Sequence, residues 1–152
     1  MNLDFRPCVV GVFVNKEKKL LVGERSDVQG AWQLPQGGIE PGESSVSAIY
    51  REMAEEVGCK LFKIKNIASR LVTYRYPANI QTKIESVAAR NYAGQSQQWY
   101  LLEFDAGQGP DIQKADGEFS GFDWRNVHRV IDNVIDFKRD AYKEGLRQLG
   151  LF

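Results

Sequence analysis

Between Gly37 and Cys59 the chain reads GGIEPGESSVSAIYREMAEEVGC, and no other stretch limits so tightly what the protein can be. A Gly-Gly pair, a Pro-Gly turn and Glu43 lead into a run with helical spacing. At about 100° per residue, Val46, Ile49, Tyr50, Met53 and Val57 form one apolar stripe, and Glu52, Glu55 and Glu56 gather on the stripe beside it. Three carboxylates therefore share one edge of a predicted helix. Ser44 is placed to cap its start and Gly58 to end it in the left-handed conformation. Glu43 and Glu52 flank Arg51 closely enough for a charge-paired brace between loop and helix.

Like charges at i,i+3 and i,i+4 destabilise a helix by a few tenths of a kcal/mol per pair. An acidic run on a helix is most often a solvated face, and the spacing alone does not decide against that. A bound cation would remove the repulsion. Carboxylate oxygens are the hard ligands that Mg²⁺ or Mn²⁺ prefers, and Mg²⁺ commonly joins one or two of them to substrate phosphates. The Gly37-Gly38 turn offers carbonyl oxygens without a Cβ in the way, so Gly37 joins the candidate ligands.

The surrounding pattern decides. Gly37, five residues, Glu43, seven residues and then Arg51-Glu52-Met53-Ala54-Glu55-Glu56-Val57-Gly58-Cys59 resemble the Nudix box, G-x5-E-x7-R-E-U-x-E-E-x-G-U, where U is bulky and apolar. Every fixed position is filled, with Cys59 a small choice for the last apolar slot. The resemblance implies an α+β fold, the Nudix α/β/α sandwich with a mixed sheet packed between helices. It also implies an enzyme that uses a divalent metal to hydrolyse a nucleoside diphosphate linked to another group.

Size and charge are compatible with that reading. A chain of 152 residues fits one domain, residues 1–152, and is long enough to bury a core unaided. With 20 basic and 20 acidic residues the formal net charge is zero, so bulk charge does not make it a polyanion binder. Any nucleic-acid contact rests on local Arg and Lys, and fits the end of a strand better than a long duplex. Cys8 and Cys59 lack metal-ligand spacing and read as buried thiols. No apolar run approaches the roughly 20 residues of a membrane span, and MNLDFRPC lacks a signal pattern. The expected location is the cytoplasm, with no membrane partner.

In chain order, Arg6–Asn15 and Leu20–Arg25 read as a hairpin turning at Lys16-Glu17-Lys18-Lys19. Ala31–Gln36 is a short extended run, and Pro35 makes it an edge or strand-end segment. Strands are expected at Phe62–Ala68, Arg70–Tyr76, Gln97–Phe104 and Glu118–Arg125, with a Gly/Pro/Asp break from Asp105 to Asp111. Pro77–Ala93 has weak periodicity and is expected to be a loop over the site. Phe137, Ala141, Tyr142, Leu146 and Leu149 mark a helix from about Asn133 to Leu149.

Outside the box, Phe5-Arg6-Pro7, Ala31–Gly38, Tyr92–Trp99, Glu118-Phe119, Trp124-Arg125 and Val134–Arg139 resemble one branch of the family. That branch contains bacterial RNA 5′-pyrophosphohydrolases and relatives that cleave dinucleoside polyphosphates. The resemblance implies that Glu118 joins Glu52, Glu55 and Glu56 at the metal as ligand or general base. It implies phosphate contacts from Arg6, Arg25 and Lys138, and a base platform of Ile135 and Phe137 with Gln95 nearby and Tyr76 assisting. His128, the only histidine, reads as a surface or structural residue.

The expected reaction removes pyrophosphate or successive phosphates from 5′-triphosphorylated RNA, leaving a 5′-monophosphate. Two metal ions can bridge such a site, and either Glu56 or Glu118 is placed to take the proton. Diadenosine tetraphosphate or a free nucleoside triphosphate offers the same reacting group and remains an alternative substrate. A non-catalytic RNA- or nucleotide-binding module would be expected to lose box glutamates, and none is missing. Sequence leaves monomer and homodimer both open.

Overall fold

The computed structural model describes residues 4–78 and 92–152. The expected loop at Pro77–Ala93 therefore falls mostly on residues 79–91, outside the described residues.

The organising strand is β1 (Phe5–Phe13), buried continuously from Cys8 to Phe13. A strand apolar on both faces must be covered on both and paired along both edges. It runs parallel to β7 (Gly94–Phe104) and antiparallel to β4 (Gln36–Gly38). This overturns the expected hairpin. With both edges of β1 taken, β2 (Leu20–Arg25) leaves for a second sheet, between β3 (Trp32–Gln33) and β8 (Phe119–Arg125). Only the bridge Val14–Leu20 links the first two strands. The intervening turn is held by Asn15, whose Oδ1 accepts from the backbone N–H groups of Glu17 and Lys19, with Lys18 left-handed at φ 61°.

On the far edge of β7, β5 (Phe62–Ile67) and β6 (Val72–Arg75) follow one another antiparallel to it. The five-stranded sheet is mixed, and both of its faces are covered. Val9, Phe13, Tyr100 and Leu102 pack toward α1 (Ser45–Val57) through Ile49, Met53 and Val57. Val10, Val12 and Trp99 pack on the other side with Ile131, Tyr142 and Leu146. This is the expected sandwich. Ser44 Oγ accepts from Ser47 N–H at 3.1 Å, and Gly58 ends α1 at φ 78°, as the sequence pattern predicts. Val46 and Tyr50 do not join the buried stripe: both are exposed. The helix instead turns Ala48, Glu52 and Glu56 inward.

The expected helix from Asn133 to Leu149 is broken. An unforeseen α2 (Val127–Asn133) is capped by Asn126, whose Oδ1 accepts from Arg129 N–H. Val134 and Ile135 are extended, a 3₁₀ turn covers Asp136–Lys138, and α3 spans Arg139–Gln148. Arg139 stabilises the break by donating to the carbonyls of Ile131, Asp132 and Val134, which relieves the free C=O groups of a helix end. Among the described residues no helix is long and apolar enough to cross a membrane. Both cysteines are buried free thiols.

Tyr142 on α3 ties this layer to the approach to the site, because its buried hydroxyl accepts from Leu34 N–H at 3.0 Å. Tyr142→Phe strands that buried N–H and should cost roughly 1–3 kcal/mol in urea unfolding. A midpoint equal to the parent's would mean that Leu34 finds another partner.

Candidate active site

One guanidinium joins three parts of the box. Arg51 Nε and Nη2 donate to Glu43 at 2.8 and 2.9 Å, and Nη2 also reaches the Gly38 carbonyl at 2.8 Å. Its Nη1 donates to Glu52 at 2.8 Å and to Glu55 at 3.4 Å. This is the brace that the spacing predicts, extended to the β4 backbone. The guanidinium holds the Glu43 carboxyl far below its ordinary range, at about 2. Glu43 Oε1 also accepts from Glu40 N–H, which closes the loop.

Glu52 and Glu56, one turn apart, are both buried. The Glu52 carboxylate lies directly against Gly37, where any Cβ would collide with it. Glycine is thus required by close approach at this position. Glu56 Oε2 accepts from Gln36 N–H at 3.1 Å. Burial raises the proton affinity of both carboxyls. For Glu56 the negative charges of Glu52, Glu118 and Asp116 add to the rise. Glu55 is exposed. Glu118 is exposed just before β8, its N–H donating to Asp116 Oδ1 and its carbonyl accepting from Ser26 N–H.

Cations border this acidic edge. Arg6 lies over Gly38, close enough that a Cβ there would strike its guanidinium. Lys138 is half-buried, donates weakly to Gln33 Oε1 at 3.5 Å, and is depressed to about 8 by burial and by Arg25. Neither Arg6 nor Lys138 has an ion-pair partner among the described residues. Arg25 does: its Nε and Nη2 clasp Asp27 at 2.9 and 2.6 Å. Cys8 sits among Arg6, Glu52 and Lys138, its thiol pushed up to about 11 by burial.

The remaining expected residues lie on the sheet face that holds Cys8 and Lys138. Register aligns Arg6, Gln95 and Tyr74 across β1, β7 and β6. Gln95 is buried and its Oε1 accepts from Gln97 Nε2 at 2.9 Å, while Gln97 Oε1 accepts from Trp99 Nε1 at 3.0 Å. Phe137 is half-buried, with its ring 5.9 Å from that of Tyr74, so it serves the core as well as the cavity wall. Ile135 is exposed. Sequence reasoning missed Gln36, Asp27, Asp116, Gln97 and Tyr74. Only strand alternation on β6 and β7 carried a signal, for the last two. The Tyr74 hydroxyl is buried without a hydrogen-bond partner among the described residues.

The donor set suits a hard divalent cation. It consists of carboxylate oxygens, and a glycine cradle brings Glu52 against the β4 backbone. Burial makes Glu52 and Glu56 costly to ionise, and a cation would offset that cost. Among the described residues, no three acidic, His or Cys side chains already form one ion-sized cluster. Glu52 and Glu55 instead share Arg51 Nη1.

A mixed sheet lies between helices, with a buried acidic helix edge beneath a Gly-Gly strand and cations beside it, charges of the two signs that suit a phosphoanhydride hydrolase. The NUDIX domain family matches residues 4–147, and the chain belongs to the Nudix hydrolases, which generally use divalent metal ions. Nudix hydrolase 25 of Arabidopsis thaliana is 33% identical over 153 residues, 97% of this chain and 87% of that one. An RNA pyrophosphohydrolase of Orientia tsutsugamushi (strain Boryong) is 35% identical over 154 residues, 99% of this chain and 93% of that one. The solved structure of the E. coli dihydroneopterin triphosphate pyrophosphohydrolase covers 93% of this chain and 96% of its own, with TM-score 0.67 at 16% identity. That last likeness is one of fold.

The buried carboxyls fix a pH dependence. A folded-state affinity raised above the ordinary carboxylate value means that the native protein binds more protons than the unfolded chain in the window between the two values. Stability is therefore lost as pH rises through that window. Glu43, depressed to about 2, acts below it, and Lys138, at about 8, acts above it. Without divalent cations the melting temperature should rise on acidification from pH 7.5 toward 5.5, and Glu56→Gln should raise it at pH 7.5 and flatten the slope. Melting curves with the parent's slope in that variant would contradict the assignment.

Proposed function

We propose that this Nudix hydrolase is an RNA pyrophosphohydrolase that uses Mg²⁺ or Mn²⁺. It removes pyrophosphate, or successive phosphates, from the 5′-triphosphate end of RNA and leaves the 5′-monophosphate from which RNA decay proceeds. The observation that carries the reading is the meeting of buried carboxylates with cations that have no ion-pair partner among the described residues. Glu52 and Glu56 lie on one side, Arg6 and Lys138 on the other, at a glycine turn with no side chain of its own. The named relative that spans nearly the whole chain supports the same substrate class. Two buried free thiols fit a reducing cytoplasm.

Glu52, Glu55, Glu56 and Glu118, with the Gly37 carbonyl, are the groups that would hold the ions. A bound divalent ion there would supply positive charge to the phosphate oxygens and acidify a water. The chain's own residues do the rest. Arg6 and Lys138 neutralise the polyphosphate and set it in line over the acidic edge. Arg25 joins them by exchanging its Asp27 partner for phosphate, because both present paired oxygens to its planar fork. Ile135 and Phe137 offer an apolar platform to the adjoining base. Burial raises the proton affinity of Glu56 well above the ordinary carboxylate range, and the charges of Glu52, Glu118 and Asp116 add to the rise. Where Glu56 is not taken up as an ion ligand, it accepts the proton of the attacking water.

The test is a parallel assay of 5′-triphosphate RNA, diadenosine tetraphosphate and free nucleoside triphosphates with Mg²⁺ and with Mn²⁺, identifying the products. RNA should be hydrolysed with the highest kcat/KM, releasing pyrophosphate or phosphate. Glu56→Gln should lower turnover at least about 10²-fold with the fold intact, whereas Arg25→Ala and Lys138→Ala should act mainly on KM. Preference for either other substrate would overturn the reading. Near-normal turnover of Glu56→Gln would remove that residue from proton transfer.

A further inference from the structure

The outer face of α1 forms one wall of a cavity of about 630 Å³, with Tyr50 and Ala54 on the helix and Lys60, Lys114 and Asp116 beyond its end. The stretch that closes the cavity is tied to the helix. Asp111 N–H donates to the Val57 carbonyl at 2.8 Å and Asp116 N–H to the Glu55 carbonyl at 2.7 Å. These bonds use carbonyls that a helix end otherwise leaves free. Gly58 also admits the Asp111 carbonyl so closely that a Cβ would collide with it. The cavity is therefore built into the fold.

Its helix wall is aromatic. The Tyr50 ring stacks on Phe62, with centroids 4.6 Å and planes 14° apart, so one face is covered and the ring is held while 37% of the residue stays exposed. Lys60 has no ion-pair partner among the described residues, and Lys114 has only Asp111, at 4.0 Å. A fixed aromatic ring with ammonium groups beside it suits a base and the phosphate that the base carries, and the volume is that of a small-molecule site.

Arg51 and Glu55 line the same cavity, so it opens directly from the acidic edge. It lies on the α1 side of the large sheet, where Phe62 belongs to the core layer, whereas Phe137 packs in the layer on the opposite face. A polyphosphate lying across Glu52, Glu56 and Glu55 thus has the Ile135 and Phe137 platform at one end and this cavity at the other. We propose that the cavity is a subsite for a second nucleoside at the far end of the polyphosphate. Its base stacks on Tyr50, and Lys60 and Lys114 meet the phosphate next to it. The inference rests on the proposed function for the course of the polyphosphate. A plain 5′-triphosphate leaves the cavity empty; a ligand with a nucleoside at both ends fills it.

Calorimetric titration in the presence of Mn²⁺ separates the two ends. The probes are diadenosine tetraphosphate and adenosine 5′-tetraphosphate, both with methylene-bridged phosphates that resist hydrolysis, so that they differ in the second nucleoside. The parent should bind the dinucleoside compound at least about fivefold more tightly. Tyr50→Ala should remove that preference and keep the affinity for the mononucleoside compound within about twofold of the parent. Lys60→Ala combined with Lys114→Ala changes two exposed side chains and should weaken the dinucleoside compound at least about threefold. That pair keeps the test open if Tyr50→Ala does not fold.

Equal affinity of the parent for the two probes, or binding of neither, would overturn the subsite. So would a preference that survives both sets of substitutions. Sedimentation showing a homodimer that Tyr50→Ala dissolves would give the cavity to a second copy of the chain and overturn it too. Hydrolysis of 5′-triphosphate RNA, followed separately, decides the proposed function. Turnover of that RNA without a dinucleoside preference strikes the subsite alone, and a dinucleoside preference without RNA turnover strikes the RNA reading alone.

Discussion

The structure depends on the five donors of one guanidinium. Arg51 holds the Gly38 carbonyl on β4, the Glu43 carboxylate in the loop, and Glu52 and Glu55 on its own helix. A lysine would bring the same charge, but its single ammonium could not serve these directions at fixed angles. Without that link the loop from Gly38 to Ser44 would be anchored to α1 only by its Ser44 cap. Glu43, Glu52 and Glu55 would also repel one another without the guanidinium between them. Arg51 is only partly buried, so part of its ion pairing is screened by solvent. Its main contribution is geometric.

The sheet meets a second requirement. An edge of buried carboxylates costs stability, and α1 can present one only because its neighbouring stripe is deeply packed. Ile49, Met53 and Val57 are fully buried against β1 and β7. β1 contributes to both layers, with Val9 and Phe13 on one face and Val10 and Val12 on the other. Its end carries Arg6 and Cys8 into the site, and its partner β4 carries Gly37 and Gly38. The same ladder that builds the core therefore sets the spacing between acid and base.

Legibility from sequence followed how local each feature is. The cap at Ser44, the left-handed Gly58 and the Arg51 brace depend on residues within one helix or loop, and they stand where the spacing placed them. The partners of β1 were not legible as a hairpin, because pairing is decided by whichever strand fills an edge first, and β7 is 89 residues away, Phe5 pairing with Gly94. The C-terminal helix was misjudged because the apolar period runs on through Val134 and Ile135. What breaks it is a side chain five residues downstream of Val134, Arg139, which satisfies the preceding carbonyls. In the site, box glutamates were legible as a set. That Glu52 and Glu56 would be buried and Glu55 exposed required knowing where β4 lies. The Gln95–Gln97–Trp99 chain was visible only as alternation.

The account stands on Arg51 acting as a fork that pre-sets the carboxylates for a divalent ion. Calorimetric titration of the Arg51→Lys variant with Mn²⁺ addresses this most directly, alongside circular dichroism to follow the fold. Because charge is kept and directionality lost, ion affinity should fall at least about tenfold while the spectrum stays that of the parent. Parent-like affinity would show that the carboxylates assemble without the fork and would contradict the account.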